Sequence, residues 1–488
     1  MEPMRPNPGA VEAERPPTRQ QPPPGGDAAR YKTETAAVPV LSGTARPRVA
    51  LTVSLMGFFL ITLDVIIVNL ALPGIGRELG GGTAGQQWTI DGYTLMFASL
   101  LMFAGNLSER IGAKRAFGAG VVLFTLASIG CALAPTLAMF IAARFVQGAF
   151  AAIMLPASMA LIREAYTNPY HRARALGVWA MGGGVAVAVG PPLGGFLSTI
   201  DWRLVFGINI PVAAIMIVLL GRVAPSGPGS AAFDVPGQIT ALLGLGALTY
   251  WLIDGGENGF ISPVAIVTLV LAVAGIGSFI WRQARAKNPM MPLSLFRPRG
   301  MRIAVVVGFA FMAGWYGTIF LSTLFLQQHL GLSPLAAGLA FLPSAVLSVV
   351  GNLASGPITT RFGARLPAVT GLLSMIVGLV VFAATAPIGS PFLTALLIAP
   401  IGVGGSIAMP AVTSVVLDSV AAERAGTASA IFNTFRQVGG AVGIAVFGSL
   451  VANRSAFLGG MQVSLLIAAG LVGCATLTAA FIHPNAKR

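Results

Sequence analysis

Asp64, Arg144 and the group Asn433, Arg436 and Gln437 are the residues whose types could do chemistry inside apolar surroundings. Asp64 sits in LITLDVIIVNLALP (Leu60–Pro73), an otherwise apolar run. A charge in hydrocarbon is costly, and such side chains usually face a bundle interior or a watery path. Burial favours the neutral acid, whereas a nearby cation favours the charged one. A carboxylate moved between those surroundings can take a proton on one side of a membrane and release it on the other. The alternative is a structural aspartate bonded to a neighbouring helix. Arg144, in RFVQG (Arg144–Gly148), is a fixed cation that could hold a carboxylate charged or displace its proton. It could equally bond only to helix carbonyls, and the acid it meets is not readable from the sequence. Gln147 lies one helical turn away on the same face and joins the candidate binding residues.

Asn433, Arg436, Gln437 and Gly440 recur at i, i+3, i+4 and i+7, which puts them on one helical face. That face is expected to meet protein or a water-filled cavity, with interhelical hydrogen bonding as the competing role. Trp315, Tyr316, Phe320 and Gln327 could line an apolar ligand cavity or pack against lipid or another helix. The other acids fall in the amino-terminal stretch or at loops and span ends, Asp91 and Asp234 among them. Asp64 is therefore expected to be the only carboxylate deep in a span. His171, His329 and His483 are widely separated, and Cys131 and Cys474 have no metal-ligand spacing. No metal site, no cofactor and no enzymatic activity are expected; a membrane transferase would need clustered acids or a nucleophile–base pair.

The elements that must carry these residues are helices in a bilayer. Charged residues are 9 % and hydrophobic ones 55 % of the 488, and the mean hydropathy is +0.81. Hydropathy places fourteen spans, beginning with 49–72 and 87–107, with the sixth at 203–221 and the last at 460–482. With the amino terminus inside, only Arg77, Arg203 and Arg454 of the 30 Lys and Arg fall outside, and Arg144 and Arg436 fall within spans. This positive-inside pattern predicts two cytoplasmic termini and explains the net charge of +14 without nucleic acid. Residues 1–48, rich in Pro, Arg and Gln, read as a disordered cytoplasmic tail without a signal-peptide core.

Two loops echo one another. GNLSERIGAKR (Gly105–Arg115) and SGPITTRFGAR (Ser355–Arg365) align Arg110, Gly112, Ala113 and Lys114 with Arg361, Gly363, Ala364 and Arg365. An echo at matched topological places is the mark of a duplicated transporter fold, beyond what two basic loops would share by chance. The predicted organisation is a six-helix bundle over 49–222, two inserted helices and a linker over 223–300, and a second bundle over 301–488. Gly182, Ala186, Gly190 and Gly194 form a small-residue stripe that admits a close helix, and Pro191 and Pro192 favour a bend there. KNPMMPLSLFRPRGMR (Lys287–Arg302) is expected to lie on the inner leaflet or to be a solvated linker.

These motifs together resemble the 14-span drug:proton antiporter branch of the major facilitator superfamily. The resemblance rests on GNLSERIGAKR, RFVQG, GPPLGG (Gly190–Gly195), LDVIIVNLALP, DWRLVFGINIPV (Asp201–Val212) and GTASAIFNTFRQVGGAVGIAVFG (Gly426–Gly448), in the family's order. It departs at Glu109, where Asp is usual, and at Ile66, where Thr is common. It implies two bundles rocking about a central cavity, with export of a small molecule against proton influx. It also implies proton coupling at Asp64 and Arg144, and gating by Gly105, Glu109, Arg110, Gly112, Lys114, Gly190, Pro191, Gly194 and Gly195. By resemblance Glu109 contacts the other bundle; Thr360 in the second loop cannot repeat that ion pair. The expected partners are a small-molecule substrate, protons and the bilayer, for a monomer in the cytoplasmic membrane of a bacterium. A lipid or metabolite translocator on the same fold is the alternative. The acid-poor later spans favour a neutral, monocationic or anionic substrate over a dication.

Overall fold

The computed structural model describes residues 46–482, apart from 228, 230–232 and 422–423 and the side chain of Arg454. Most of the expected tail, Glu423 and His483 lie outside the described residues. The helices are α1 (Pro47–Leu79), α2 (Gly82–Ile111), α3 (Ala113–Leu133), α4 (Leu137–Ala165), α5 (Pro169–Ile200), α6 (Leu204–Leu220) and α7 (Val235–Asn258). They continue as α8 (Pro263–Arg285), α9 (Arg299–His329), α10 (Pro334–Phe362), α11 (Arg365–Ile388), α12 (Pro391–Asp418), α13 (Ala425–Leu450) and α14 (Phe457–Ala479).

Among the described residues, 13 of these helices are long and apolar enough to cross a membrane, and α6 is shorter. The expected sixth span is in fact two pieces, Leu204–Gly207 and Asn209–Leu220. Pro211 explains the interruption, because it has no N–H for the Gly207 carbonyl and its ring crowds that oxygen. Local chemistry sets other boundaries. α5, α8, α10 and α12 each open on an Asn or Ser followed by Pro, and the Asn168, Ser262, Ser333 and Ser390 side chains accept backbone N–H groups of the first turn. Gly112 and Gly363 end α2 and α10 at φ 89° and 79°, so the two echoing loops share a backbone turn that favours glycine.

The duplication is visible in the packing. In the first half α1 packs on α5, α2 on α4, α3 on α4, and α3 and α1 on α6. In the second half α9 packs on α13, α10 on α12, α11 on α12, and α11 and α9 on α14. These are the same pairs eight helices later. The halves meet symmetrically as well, α2 against α13 and α5 against α10. Each half has its own apolar core, around Phe117, Phe124 and Met216 in the first and Phe320, Phe325 and Phe382 in the second.

The pair α7–α8 stands outside this symmetry, with α7 against α2 and α13. Gln238 Nε2 donates to the Ser99 carbonyl at 2.9 Å, tying α7 to the first half. The segment after α8 is anchored to the protein. Met290, Met291 and Leu295 are buried in the second core, and the Met291 N–H donates to Gln283 Oε1 at 2.9 Å.

Candidate functional site

Five helices of the first half converge on Asp64. Arg144 Nη1 lies 2.6 Å from Asp64 Oδ2, and both side chains are 0 % exposed. The same Nη1 donates to Gln147 Oε1 at 2.7 Å, and Gln147 Nε2 donates to Asp64 Oδ1 at 2.9 Å. That triangle follows from α4, where i and i+3 share a face. Asn209, just past the break in α6, donates Nδ2 to Asp64 Oδ1 at 3.0 Å and to Ser128 Oγ on α3 at 2.8 Å. Arg144 Nε donates to the Thr89 carbonyl on α2 at 2.9 Å, and the guanidinium lies 4.5 Å from the Tyr93 ring centroid.

Every partner of Asp64 is a donor, the pattern that suits a carboxylate. Protonating either oxygen removes the negative charge that Arg144 pairs with and weakens the three bonds it accepts. Removing one member of such a buried pair typically costs about 3–5 kcal/mol, because the other charge is left uncompensated. The site can therefore hold two states, Asp64 charged on Arg144 or Asp64 protonated with Arg144 released.

Asp64 does not point into the space between the halves. A cleft there is lined by Val65, Ile66 and Asn69 of α1, Tyr316 and Ile319 of α9, and Ile444 of α13. At about 100° per residue those α1 positions lie roughly 100–200° round the helix from Asp64, on a different face. Asn69 itself donates to the Val65 carbonyl of its own helix at 2.9 Å.

The candidate cavity residues divide. Tyr316 packs against the cores of both halves and covers Gly440, where a Cβ would come 2.5 Å from its ring. Arg436 donates Nη1 to Asn433 Oδ1 at 3.1 Å and lies 5.6 Å from the Phe432 ring centroid. Its Nε and Gln437 Oε1 are buried without a partner. Trp315 lies deeper, against Gly402 of α12. Phe320 is fully buried in the second core. Gln147 belongs to the Asp64 network.

The small-residue stripe seats α1: a Cβ on Gly182, Gly190 or Gly194 would come within 2.9 Å of Leu55, Ile66 or Ile67. A Cβ on Gly195 would instead strike the Pro334 carbonyl of α10, and Gly338 of α10 packs on the Pro191 carbonyl. α5 thus lies between α1 and the other half, and it runs unbroken through Pro191 and Pro192.

The loop at Gly105–Arg115 grips the segment between α6 and α7. Lys114 Nζ donates to the Val223 carbonyl at 2.5 Å, the Lys114 N–H to Ser226 Oγ at 3.0 Å, and the Gly229 N–H to the Glu109 carbonyl at 2.8 Å. Arg110 stacks 5.0 Å from the Phe233 ring centroid. Glu109 is exposed and, among the described residues, forms no ion pair, so the cross-bundle contact implied for it is absent in this conformation. The halves are pinned at the opposite end. Gln87 Nε2 donates to the Ala445 carbonyl at 2.8 Å, and Gln327 Nε2 donates to the Leu70 carbonyl at 3.1 Å.

Asn209 and Asp91 are among the polar residues that the sequence reading did not place. Asn209 is an isolated amide in an apolar run, the same signal that exposed Asp64. Asp91, expected near a span end, is fully buried in α2; Oδ1 accepts from Thr94 Oγ1 at 3.3 Å and Oδ2 has no partner. α2 begins at Gly82, five residues before the expected span, which moves Asp91 inward.

The chain belongs to the Major Facilitator Superfamily, whose family profile matches residues 54–444. It is a multi-pass membrane transporter and not an enzyme. It is 37 % identical over 404 residues to "Multidrug resistance protein Stp" of Mycobacterium tuberculosis, covering 81 % of this chain and 74 % of that one. It is 33 % identical over 430 residues to "Methylenomycin A resistance protein" of Bacillus subtilis, with coverages of 88 % and 92 %. "Puromycin resistance protein pur8" of Streptomyces alboniger is 35 % identical over 443 residues, with 87 % of each chain covered. The fold is also that of the D-xylose-proton symporter crystal structure, with a TM-score of 0.65, 15 % identity, and 90 % and 98 % of the two chains covered.

Proposed function

We propose that this chain is a proton-driven exporter of lipophilic small molecules, drugs or antibiotics, in the cytoplasmic membrane of a bacterium. The observation that carries the reading is the Asp64–Arg144 pair, fully buried and joined at 2.6 Å. Relatives named for multidrug, methylenomycin and puromycin resistance support the substrate class.

The bundles span 49–222 and 301–488, and 223–300 holds the inserted pair and linker. The basic loops mark the cytoplasmic end by the positive-inside rule. The Gln87 and Gln327 pins then close the outer end, and this is an outward-closed state. Protonation of Asp64 from outside frees Arg144 and Gln147, and α1 shifts against the glycine stripe of α5. Deprotonation toward the cytoplasm restores the pair. Gly105, Glu109, Arg110, Gly112 and Lys114 gate the cytoplasmic end, and Gly190, Pro191, Gly194 and Gly195 form the pivot.

Proteoliposomes loaded with a pH-sensitive dye test this. A panel of neutral, cationic and anionic lipophiles, puromycin among them, is added in turn, and at least one is expected to drive proton movement through the wild-type chain. Asp64→Asn is expected to abolish it. Unchanged coupling in the variant would remove the mechanism.

A further inference from the structure

Arg436 stands roughly 16 Å along α13 from its start at Ala425, at 1.5 Å per residue, well inside the span. From residue 299 to 482 the sequence holds two acids, Asp418 and Glu423, both in or beside the connection from α12 to α13. Asp418 is exposed at the end of α12. Among the described residues no carboxylate lies within ion-pair distance of Arg436. The other intramembrane cation, Arg144, is already neutralised by Asp64. Asp91 pairs with neither arginine and bonds only to Thr94.

Arg436 is also prepared for a ligand. A guanidinium offers five N–H donors, and here one side-chain bond is made, to Asn433. Gly308 of α9 leaves room for its stem, since a Cβ there would come 2.9 Å from Arg436 Cγ. Gln437 adds an amide on the same face, and its Oε1 has no partner. Tyr316, which lines the cleft between the halves, packs its aromatic face on Gly440 one turn along α13 from Arg436. A fork of donors beside an aromatic wall fits a carboxylate carried on an apolar body.

We infer, on the exporter reading above, that the central cavity takes its substrate as a lipophilic monoanion, with Arg436 as the anion contact and Tyr316 as the aromatic wall. A dication would place like charge against Arg436. Exchange of one such anion outward for one proton inward moves two charges in the same electrical sense, so an inside-negative potential alone drives export.

Calorimetry on the full chain in nanodiscs, with three probes sharing a naphthalene body, tests the inference. 1-Naphthylacetate is expected to bind at least tenfold tighter than 1-naphthylacetamide or 1-naphthylmethylammonium. Arg436→Gln is expected to reduce the acetate to the level of the amide, and Arg436→Lys to keep part of the preference. Both variants are first checked for monodispersity and unchanged thermal unfolding. Equal, weaker or absent binding of the acetate by the wild-type chain overturns the inference, as does a preference that survives in Arg436→Gln. Binding is read without a proton gradient, so this failure leaves proton-coupled export of other compounds standing. A chain that prefers the acetate but moves no protons in liposomes would instead sink the exporter reading.

Discussion

Asp64 and Asn69, five residues apart on α1, serve different faces of that helix: Asp64 bonds to α4 and α6 within the first half, and Asn69 lines the cleft against Tyr316 of the second. Proton site and cleft are therefore separated by the width of one helix. Coupling on this geometry runs through movement of α1, and direct competition for one side chain is not needed.

Arg144 holds three groups at once, Thr89 of α2, Asp64 of α1 and Gln147 of its own helix. A lysine supplies one charge but cannot reach all three with a planar fork. Arg144→Lys is expected to lower transport more than tenfold with the fold retained. Arg144→Ala is expected to lose about 3–5 kcal/mol of stability, because Asp64 is left buried and unpaired. Thermal unfolding in detergent reads the second effect, and addition of Asp64→Asn to Arg144→Ala is expected to recover much of it.

Asn209 is the amide that completes the Asp64 shell. Hydrogen bonds to charged groups contribute about 1.5–3 kcal/mol. Asn209→Ala is expected to slow proton-coupled export roughly tenfold or more by that energy, while substrate binding stays near wild type. Transport rates and calorimetric affinities measured side by side separate the two effects.

Two glycines make a paired steric test. Gly470 of α14 is exposed and has nothing within 4 Å of a Cβ, so Gly470→Ala is expected to leave transport unchanged and to hold or slightly raise stability. At Gly194 a Cβ would come 2.8 Å from the Ile67 carbonyl. Gly194→Val is expected to push α1 away from α5 and stop transport, with the protein still inserted in the membrane.

The amides of Gln87 and Gln327 pin the two halves at one end. Removing both, as Gln87→Ala with Gln327→Ala, is expected to raise access to the cleft from that end. With Cys474→Ala as background, the labelling rate of Ile319→Cys by an impermeant thiol reagent is expected to rise several-fold from outside the cell. An unchanged rate would mean that the pins do not hold the closed state.

Asp234 gives a pH test outside the spans. Burial pushes its carboxyl up, but bonds from Gln283, the Gly237 N–H and Arg282 outweigh this and hold it below the usual range. A depressed carboxylate contributes stability above its unfolded value, and that contribution is lost as pH falls through the folded one. Wild type is expected to exceed Asp234→Asn in stability at neutral pH, and the two are expected to converge in acid. Unfolding temperatures across pH 2–7, roughly spanning the range where carboxylates titrate, check this.

The sequence made the helical bundle and the echoing loops legible, because hydropathy and glycine turns act locally. Asp64 and Arg144 stood out for the same reason: each is a charge alone in an apolar run. Their contact was not legible, since it joins α1 to α4 through tertiary packing. Asp91 was misplaced because Gln86 and Gln87 look like a span end, although both are buried in α2. A gating contact such as the one implied for Glu109 depends on which state the two halves occupy, and no local sequence signal encodes that.

The most direct measurement is proton release on substrate binding, in a weakly buffered detergent solution with no membrane or gradient. Addition of a transported compound to the wild-type chain at successive pH values is expected to release up to one proton per chain, and Asp64→Asn is expected to release none. Equal release from both proteins would contradict the assignment of Asp64 as the coupling site.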